Sequence, residues 1–517
     1  MRRYLYIGVF TAGMATMAVE LSASRLLGNY FGTSNLVWAA IIGLILVYLS
    51  VGYSLGGRWA DRSPRYLTFF SILLWAGFFI GIIPIVSRPI LQFASQAFDQ
   101  LQSASMIGSF AAVLVLFSIP ITLLGTASPF AVRLALEDRD AAGSVAGRIY
   151  TISTIGSFIG TFLPVLLLVP LIGTYRTFIA ISLIVLLIGL VGLGLLKEKK
   201  KLFLYLLMPL TIIVLAFFGL SGYDKQAEGI IYEGESAYNY IQVQEINDYH
   251  MLRLNEGQGI HSIAHPTQVD FKGPWEQVLS APFFNSAPID PGSIDRIAIL
   301  GLAAGTSANQ INLALPHTTV DGYEIDPVIV ETGIRFFGLS EQKVNIFVED
   351  ARWGITHNEN LYDAISIDAY TPPYIPWHMT TREFFAQVAA HLTSDGVMVI
   401  NVARIFEDRE LLNTLHATIA SVFTDTYIVD LPGTLNSMIF ATKAPTNPEN
   451  LLDNYIRLSA GVGTPQLLLS TIETTYLNLQ PQPESGLILT DDKAPIEWIT
   501  NAMIINLFFS EDLQNLQ

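Results

Sequence analysis

The first 222 residues of this 517-residue chain carry seven apolar segments, near 4–24, 36–57, 66–87, 106–126, 148–170, 174–196 and 202–221. Each is long enough, or nearly so, to cross the hydrocarbon core of a bilayer. In that solvent every backbone N–H and C=O must find a partner within the protein, so an isolated apolar run of this length can only be a helix. The first segment is followed by further spans and ends at no clear small-x-small cleavage site. It is therefore expected to stay in the protein rather than leave as a signal peptide.

Charge divides the chain at the same place. Residues 1–222 hold 15 Lys and Arg against 7 Asp and Glu, whereas residues 223–517 hold 13 against 37. With charged residues at 14% and a mean hydropathy of +0.45, the whole is far too apolar for an ordinary soluble protein. The expectation is a transmembrane domain of about seven helices over 1–222, placed in a lipid bilayer, followed by an acidic soluble part. Such a part repels nucleic acid and suits cationic ligands, and ordinary solubility explains the acidity about as well. There is no cysteine, which excludes disulfides, thiolate metal sites and cysteine nucleophiles. No metal site is expected.

Basic residues cluster at Arg2/Arg3, Arg58/Arg62/Arg65, Arg133/Arg139/Arg148 and Lys197/Lys199/Lys200/Lys201, in alternate loops. The positive-inside rule puts those loops in the cytoplasm of a multi-pass cell-membrane protein. The pattern is self-consistent through six spans. A seventh full span would carry the soluble part to the other side, so its sidedness stays open. The stretch Gly57-Arg-Trp-Ala-Asp-Arg-Ser-Pro-Arg65 is similar to the G-x-x-x-D-R-x-x-R loop of major facilitator transporters, with a plain basic turn as the alternative. Gly143/Gly147 and Gly156/Gly160 are small-xxx-small pairs, which serve helix packing. Glu20 lies inside the first span, where a carboxyl is costly, and Arg25 is its candidate partner.

The soluble part begins with short alternating strands, 230–232, 238–244 and 251–255, in a small β-region over 223–290. From 291 to 517 the pattern becomes strands alternating with helices, which predicts a Rossmann-like parallel sheet. Strands are expected at 297–301, 319–324, 344–348, 363–368 and 397–402. Helices are expected at 306–315, 327–337, 380–393 and 408–422. An antiparallel pair at 427–429 and 437–442 would close the sheet.

Within this core, Arg296–Pro327 reads as strand, small-residue turn, helix, strand and acid. The turn is Gly301-Leu-Ala-Ala-Gly305, and Glu324 ends the second strand. This is the generic grip for an adenosine-bearing ligand: small residues admit the backbone close to it, and the acid accepts from the ribose hydroxyls. Two more acids stand at strand ends, Asp350 and Asp368, and a late pair, Asp491/Asp492, follows in a loop. Ligands of open parallel sheets bind along that edge. Asp350 is placed to accept from an adenine amine. Asp368, where a strand meets a proline-rounded loop, is the candidate general base.

These pieces resemble the spermidine synthase (polyamine aminopropyltransferase) family, and the whole chain looks like its membrane-fused members. The resemblance rests on Glu235-Ser-Ala-Tyr-Asn-Tyr-Ile-Gln-Val243, Leu252-Arg-Leu-Asn-Glu-Gly257, Tyr323-Glu-Ile-Asp-Pro327, Val348-Glu-Asp-Ala-Arg352, Tyr362-Asp-Ala-Ile-Ser-Ile-Asp-Ala-Tyr370 and Leu489-Thr-Asp-Asp-Lys-Ala-Pro-Ile-Glu497. It implies a small β-domain on a Rossmann-like, methyltransferase-type core. It implies no tightly bound cofactor, decarboxylated S-adenosylmethionine as co-substrate, a small cationic amine as acceptor, and methylthioadenosine as by-product. Gly301, Gly305, Glu324 and Asp350 would hold the nucleoside, and Asp368 would deprotonate the attacking amine. Tyr370, Thr371 and Trp275 would line the substrate site, with Asn239 near the donor; Tyr374 and His378 are further candidates for the acceptor pocket, and for them and Tyr370 plain packing is the alternative. Homo-oligomerisation is left open.

Two acids of the family pattern are missing. The G-G-G-D-G turn has Ala304 at its Asp, and D-S-S-D-P has Thr371 at its second Asp. Both lost acids face amines of donor and acceptor. Two other readings therefore stand beside aminopropyl transfer: a methyltransferase-like enzyme using intact S-adenosylmethionine, and a membrane transporter or sensor with a degenerate nucleoside-binding domain.

Overall fold

The computed structural model describes residues 1–31, 35–99, 111–136, 141–219, 223, 225, 227–255, 259–370, 374–404, 408–461, 463–483 and 486–509. It forms two units, Met1–Gln226 and Ala227–Gln517. Among the described residues of the first, seven helices are long and apolar enough to cross a membrane: Arg2–Tyr30, Val37–Arg62, Tyr66–Leu91, Ser118–Ala135, Ala142–Ile172, Thr174–Leu195 and Lys199–Gly219. The outward side chains Phe203 and Phe217 are 76% and 78% exposed, a surface that suits hydrocarbon rather than water.

Two spans differ from the sequence reading. The fourth, expected at 106–126, runs on to Ala135 and passes through Pro129. The polar run Thr126-Ala-Ser-Pro129 suggests a stop, but hydroxyls can bond back to their own helix, as Thr126 Oγ1 does to Leu123 O at 2.7 Å. The fifth begins at Ala142, six residues before the expected 148. Of the glycine pairs, Gly156 and Gly160 do face a helix. A Cβ there would lie 2.1 Å from Phe10 O and Met14 O of the first span, so only glycine permits that approach. Gly143 and Gly147 have nothing within 4 Å, and the packing expected of them is not found among the described residues. In the loop similar to the transporter motif, Asp61 pairs with Arg133 at 3.4 Å.

The second unit opens with an antiparallel sheet of four strands, β1 (Ile230–Glu235), β2 (Tyr240–Ile246), β3 (Tyr249–Leu254) and β4 (Ser262–Ala264). The eight-stranded sheet that follows contains β5 (Arg296–Leu300), β6 (Thr319–Tyr323), β7 (Val344–Phe347), β8 (Tyr362–Ile367), β9 (Leu392–Ala403), β10 (Asp425–Asp430), β11 (Asn436–Thr442) and β12 (Leu479–Gln480). Its order is β12-β10-β11-β9-β8-β5-β6-β7. The five strands from β9 to β7 are parallel, and β11, β10 and β12 join antiparallel.

Both faces of the parallel part are covered, which is why its strands read as continuous apolar runs. Ala298, Leu300, Ile365, Ile367, Met398 and Ile400 face one core, closed by Phe384, Leu412 and Ile496. Ile297, Ile299, Ala364, Val397 and Val399 face the other, with Phe283, Ile311 and Leu468. The alternation along each strand assigns one residue to each layer.

The helix expected at 380–393 is shorter, Arg382–Ala390, because Thr381 caps it and Leu392 already pairs with Tyr362 at the start of β9. β9 is correspondingly longer than 397–402. The expected 408–422 helix spans Glu410–Ala420. Helices Glu449–Ala460 and Gln466–Leu477 lie outside the sequence reading. The first packs Leu451, Tyr455 and Leu458 on the core at the i, i+4, i+7 spacing of a helix, a periodic signal that is present in the sequence.

Candidate active site

From β5 the chain proceeds outward through β6 and β7, then returns to β8 on the other side of β5. The connections after β5 and β8 therefore leave in opposite directions and open a crevice at the carboxyl ends of those strands. Gly301 and Asp368 stand there. Gly301 has φ +98°, and a Cβ on it would lie 2.5 Å from the carbonyl oxygen of Asp368. The Asp368 N–H donates to Leu300 O at 2.9 Å, which locks the two strand exits together.

The turn that follows has unusual backbone. Ala303 is left-handed at φ +47°, and Gly305, at φ +92°, leads into the helix Thr306–Ala314. The small β-sheet holds it in place. The Ala304 N–H donates to Ser262 Oγ at 2.9 Å, and Thr306 Oγ1 donates to Ile263 O at 2.9 Å and accepts from Ile263 N–H at 2.8 Å. Ala304, at the position of the family's missing acid, is fully buried in an apolar cluster with Ile241, Leu252, Ile329 and Phe337.

Glu324 closes the turn from the other side. Its Oε2 accepts from Ala303 N–H at 2.9 Å and its Oε1 from Asp326 N–H at 3.0 Å. Burial pushes this carboxyl up to about 7. Asp326, which sequence reasoning did not select, is fully buried. It accepts from Ser236 Oγ at 2.5 Å, Asn239 Nδ2 at 2.9 Å and Val328 N–H at 3.0 Å. Asn239 thus ties the β-region to the second strand exit.

At the next exit, Asp350 caps the helix Ala351–Thr356. Its Oδ1 accepts from Trp353 N–H at 2.9 Å, and its Oδ2 lies 3.1 Å from His378 Nε2. The His378 hydrogen bond, followed by the backbone amide, holds this carboxyl below the usual carboxylate range despite partial burial.

Asp368 has the opposite character. Burial pushes it up to about 6, against the hydrogen bond from Asn401 Nδ2 to Oδ1 at 2.9 Å. Asn401 is a residue the sequence reading missed. Its signal was available: it is the one polar side chain in the apolar run Val397–Val402 of a central strand. Its own Oδ1 is buried and has no hydrogen-bond partner among the described residues. Tyr370 braces the same place. Its hydroxyl donates to Asn401 O and accepts from Ala403 N–H, both at 3.0 Å. The hydroxyl expected to line the substrate site is thereby engaged with β9.

The remaining expected residues are more dispersed. The Trp275 indole donates to His261 O at 3.2 Å and stands edge-on to Phe271. The Tyr374 hydroxyl donates to Asn501 Oδ1 at 2.6 Å. Thr371 lies outside the described residues.

The fold and this row of acids define the class: a Rossmann-like, methyltransferase-type sheet with a tight turn at the switch point and carboxylates at three strand exits. The model of the spermine/spermidine synthase domain matches residues 296–454. A probable polyamine aminopropyl transferase of Bifidobacterium longum is 31% identical over 295 residues, covering 54% of this chain and 64% of the relative. The polyamine aminopropyltransferase of Vibrio vulnificus is 30% identical over 222 residues, covering 41% of this chain and 71% of the relative. Spermidine synthase of Thermotoga maritima superposes with a TM-score of 0.36 at 20% identity, over 47% of this chain and 88% of that structure. The chain belongs to the polyamine aminopropyltransferase family. It spans just under two thirds of the length of the first of these relatives.

Proposed function

We propose that the second unit transfers an aminopropyl group from decarboxylated S-adenosylmethionine to a small amine, in an enzyme anchored to a lipid bilayer by the residues of 1–222. In this reading residues 223–290 form a β-region over the site and 291–517 the catalytic domain. The observation that carries it is Asp368: a carboxyl at the switch point, raised to about 6 by burial, and so basic enough to take a proton yet ionised near pH 7. Glu324 would accept from the ribose hydroxyls and Asp350 from the adenine amine. Gly301 and Gly305 would let the backbone reach the nucleoside.

The acceptor nitrogen attacks the methylene carbon next to the sulfonium. A C–N bond forms, the C–S bond breaks, and its electron pair neutralises sulfur as methylthioadenosine departs. The proton released by the nitrogen passes to Asp368. The Asn401 Oδ1 beside it, without a partner among the described residues, offers an acceptor for an amine N–H. The alternative donor, intact S-adenosylmethionine, is favoured by one feature, the apolar surroundings of Ala304, where the family's turn carries an acid.

Calorimetric titration of the full chain with decarboxylated and intact S-adenosylmethionine, followed by assay for polyamine products, separates these readings. Transfer of an aminopropyl group from the decarboxylated donor is expected. Preference for the intact donor would move the assignment to methyl transfer, and absence of nucleoside binding would defeat both.

The acid limb of the pH profile follows from Asp368. The base acts when ionised, so kcat/KM rises with pH through about 6 and then levels off. Asn401 holds Asp368 down by its hydrogen bond. Asn401→Ala is therefore expected to move that limb to higher pH, with activity at pH 8 recovering more than activity at pH 6. An unmoved limb would remove Asp368 as its source.

A further inference from the structure

The late segment Leu489-Thr-Asp-Asp-Lys493 has no part in the chemistry above, yet its placement is tightly specified. Leu489 and Ile496 are fully buried at either side of it. Leu489 N–H donates to Thr418 Oγ1 at 3.0 Å, and Leu489 O accepts from Arg382 N–H at 2.9 Å. Between these anchors the chain turns, with Thr490 and Lys493 paired, and presents Asp491.

Asp491 meets Arg352 in a two-pronged ion pair, NH1 to Oδ1 at 2.9 Å and NH2 to Oδ2 at 2.8 Å. Thr381 Oγ1 adds a hydrogen bond to Oδ1 at 2.6 Å, and Asp491 N–H donates to Glu383 Oε2 at 3.0 Å. The rest of the Arg352 fork is also engaged. Nε donates to Gln387 Oε1 at 2.8 Å, and NH1 donates to His378 O at 2.7 Å. The Arg352 side chain is only 16% exposed, so the fork has little freedom to re-aim.

Both supports of Asp350 run through this arginine. Arg352 is the second residue of the helix that Asp350 caps, so holding its side chain holds the first turn whose Trp353 amide meets Asp350 Oδ1. It also grips the backbone of His378, whose ring meets Asp350 Oδ2. We infer that Leu489–Lys493 is a built-in brace of the nucleoside end of the site, with Asp491 and Arg352 as positioning residues that aim the Asp350 carboxylate at the exocyclic amine of an adenine base. The inference rests on the proposed assignment of Asp350 to that base. Neither residue touches the reacting atoms. Their effect is on recognition of the base rather than on the transfer step.

The test uses the purified full chain with methylthioadenosine and with methylthioinosine, in which a carbonyl replaces the exocyclic amine. Wild type is expected to bind the first more tightly. Asp491→Asn removes the charge and one prong. Arg352→Lys keeps the charge but loses the fork, and supplies the same reading should the first variant fail to fold. Each is expected to weaken methylthioadenosine about tenfold, raise the donor KM in step, and shrink the preference over methylthioinosine, while kcat at saturating donor changes by less than about twofold. Asp491→Glu should recover part of the preference. Arg296→Gln breaks another Arg–Asp pair, at 2.8 Å to Asp321, and Arg296 begins β5 at the opposite edge of the sheet. It should lower the thermal midpoint and leave the preference intact. If Asp491→Asn and Arg352→Lys also lower only the thermal midpoint, the brace is purely structural and the inference falls. If wild type binds neither nucleoside, the assignment of the nucleoside site falls first and takes the brace with it.

Discussion

Asp368→Asn is expected to lower kcat by roughly 10² to 10⁴, the range for loss of a positioned general base, which corresponds to about 3–5 kcal/mol of barrier. The carboxamide has the shape of the carboxyl and can still accept from Asn401 Nδ2 through its oxygen, but it cannot take the proton of the attacking amine. Donor affinity should change little, because the nucleoside contacts are assigned to Glu324 and Asp350. Steady-state kinetics together with a donor titration separate the two effects. A second signature comes from stability. The folded pKa of Asp368, about 6, lies above that of an unfolded aspartate. Its favourable contribution is therefore complete below the unfolded value and is lost as pH rises through about 6. At pH 8 the native protein carries an ionised carboxylate that burial disfavours. Asp368→Asn should consequently raise the thermal midpoint at pH 8, raise it less at pH 5, and lose that advantage only below the unfolded value. Full activity in the variant would remove Asp368 from catalysis. Activity lost together with stability at pH 8 would point to a collapsed site instead.

Gly301→Ala carries the second large effect. A methyl group there would sit 2.5 Å from Asp368 O, 2.6 Å from its carbonyl carbon and 2.7 Å from Ala369 N, all backbone atoms. The φ of +98° adds strain for any side chain. The combined cost is on the order of 3 kcal/mol, and relief can come only by moving the strand exit that carries Asp368. Transfer activity should fall to background even where the protein remains folded. Gly305→Ala is the comparison. Its φ is similar, +92°, but its Cβ would meet the Leu339 side chain at 2.7 Å, and that side chain can shift. It should cost stability yet keep measurable transfer. Thermal denaturation and turnover measured on both variants decide the matter. Equal losses of turnover would mean that the contact of Gly301 with Asp368 is not what sets the site.

Much of this arrangement is visible before any coordinates. The run Ile297–Leu300, the glycine turn and Glu324 announce a strand, a turn and an acid because each follows from local rules: apolar continuity, permitted φ, and position at a strand end. The same rules place Asp350 and Asp368. They do not reach Asn401, whose importance lies in the neighbour it acquires when β9 aligns beside β8. Nor do they reach Asp326, whose partners Ser236 and Asn239 arrive from the turn between β1 and β2. Tyr370 is legible as an aromatic near the site, but the engagement of its hydroxyl with Asn401 O and Ala403 N–H depends on strand register. The glycine pairs make the same point in the first unit. Gly143/Gly147 and Gly156/Gly160 have the same spacing, and only the second pair meets another helix.

The sequence by itself therefore determined the division into an apolar helical half and an acidic α/β half, and the row of acids along one edge of the sheet. These depend on composition, periodicity and the ends of single elements. Tertiary structure alone decided what each acid became. Glu324 and Asp368 are raised because the folded chain removes water from around them, whereas Asp350 is lowered because His378 approaches its carboxylate. It also decided that Asp491, far along the chain, reaches Arg352. Desolvation and through-space pairing belong to neighbours brought together by folding, and no stretch of sequence carries them alone.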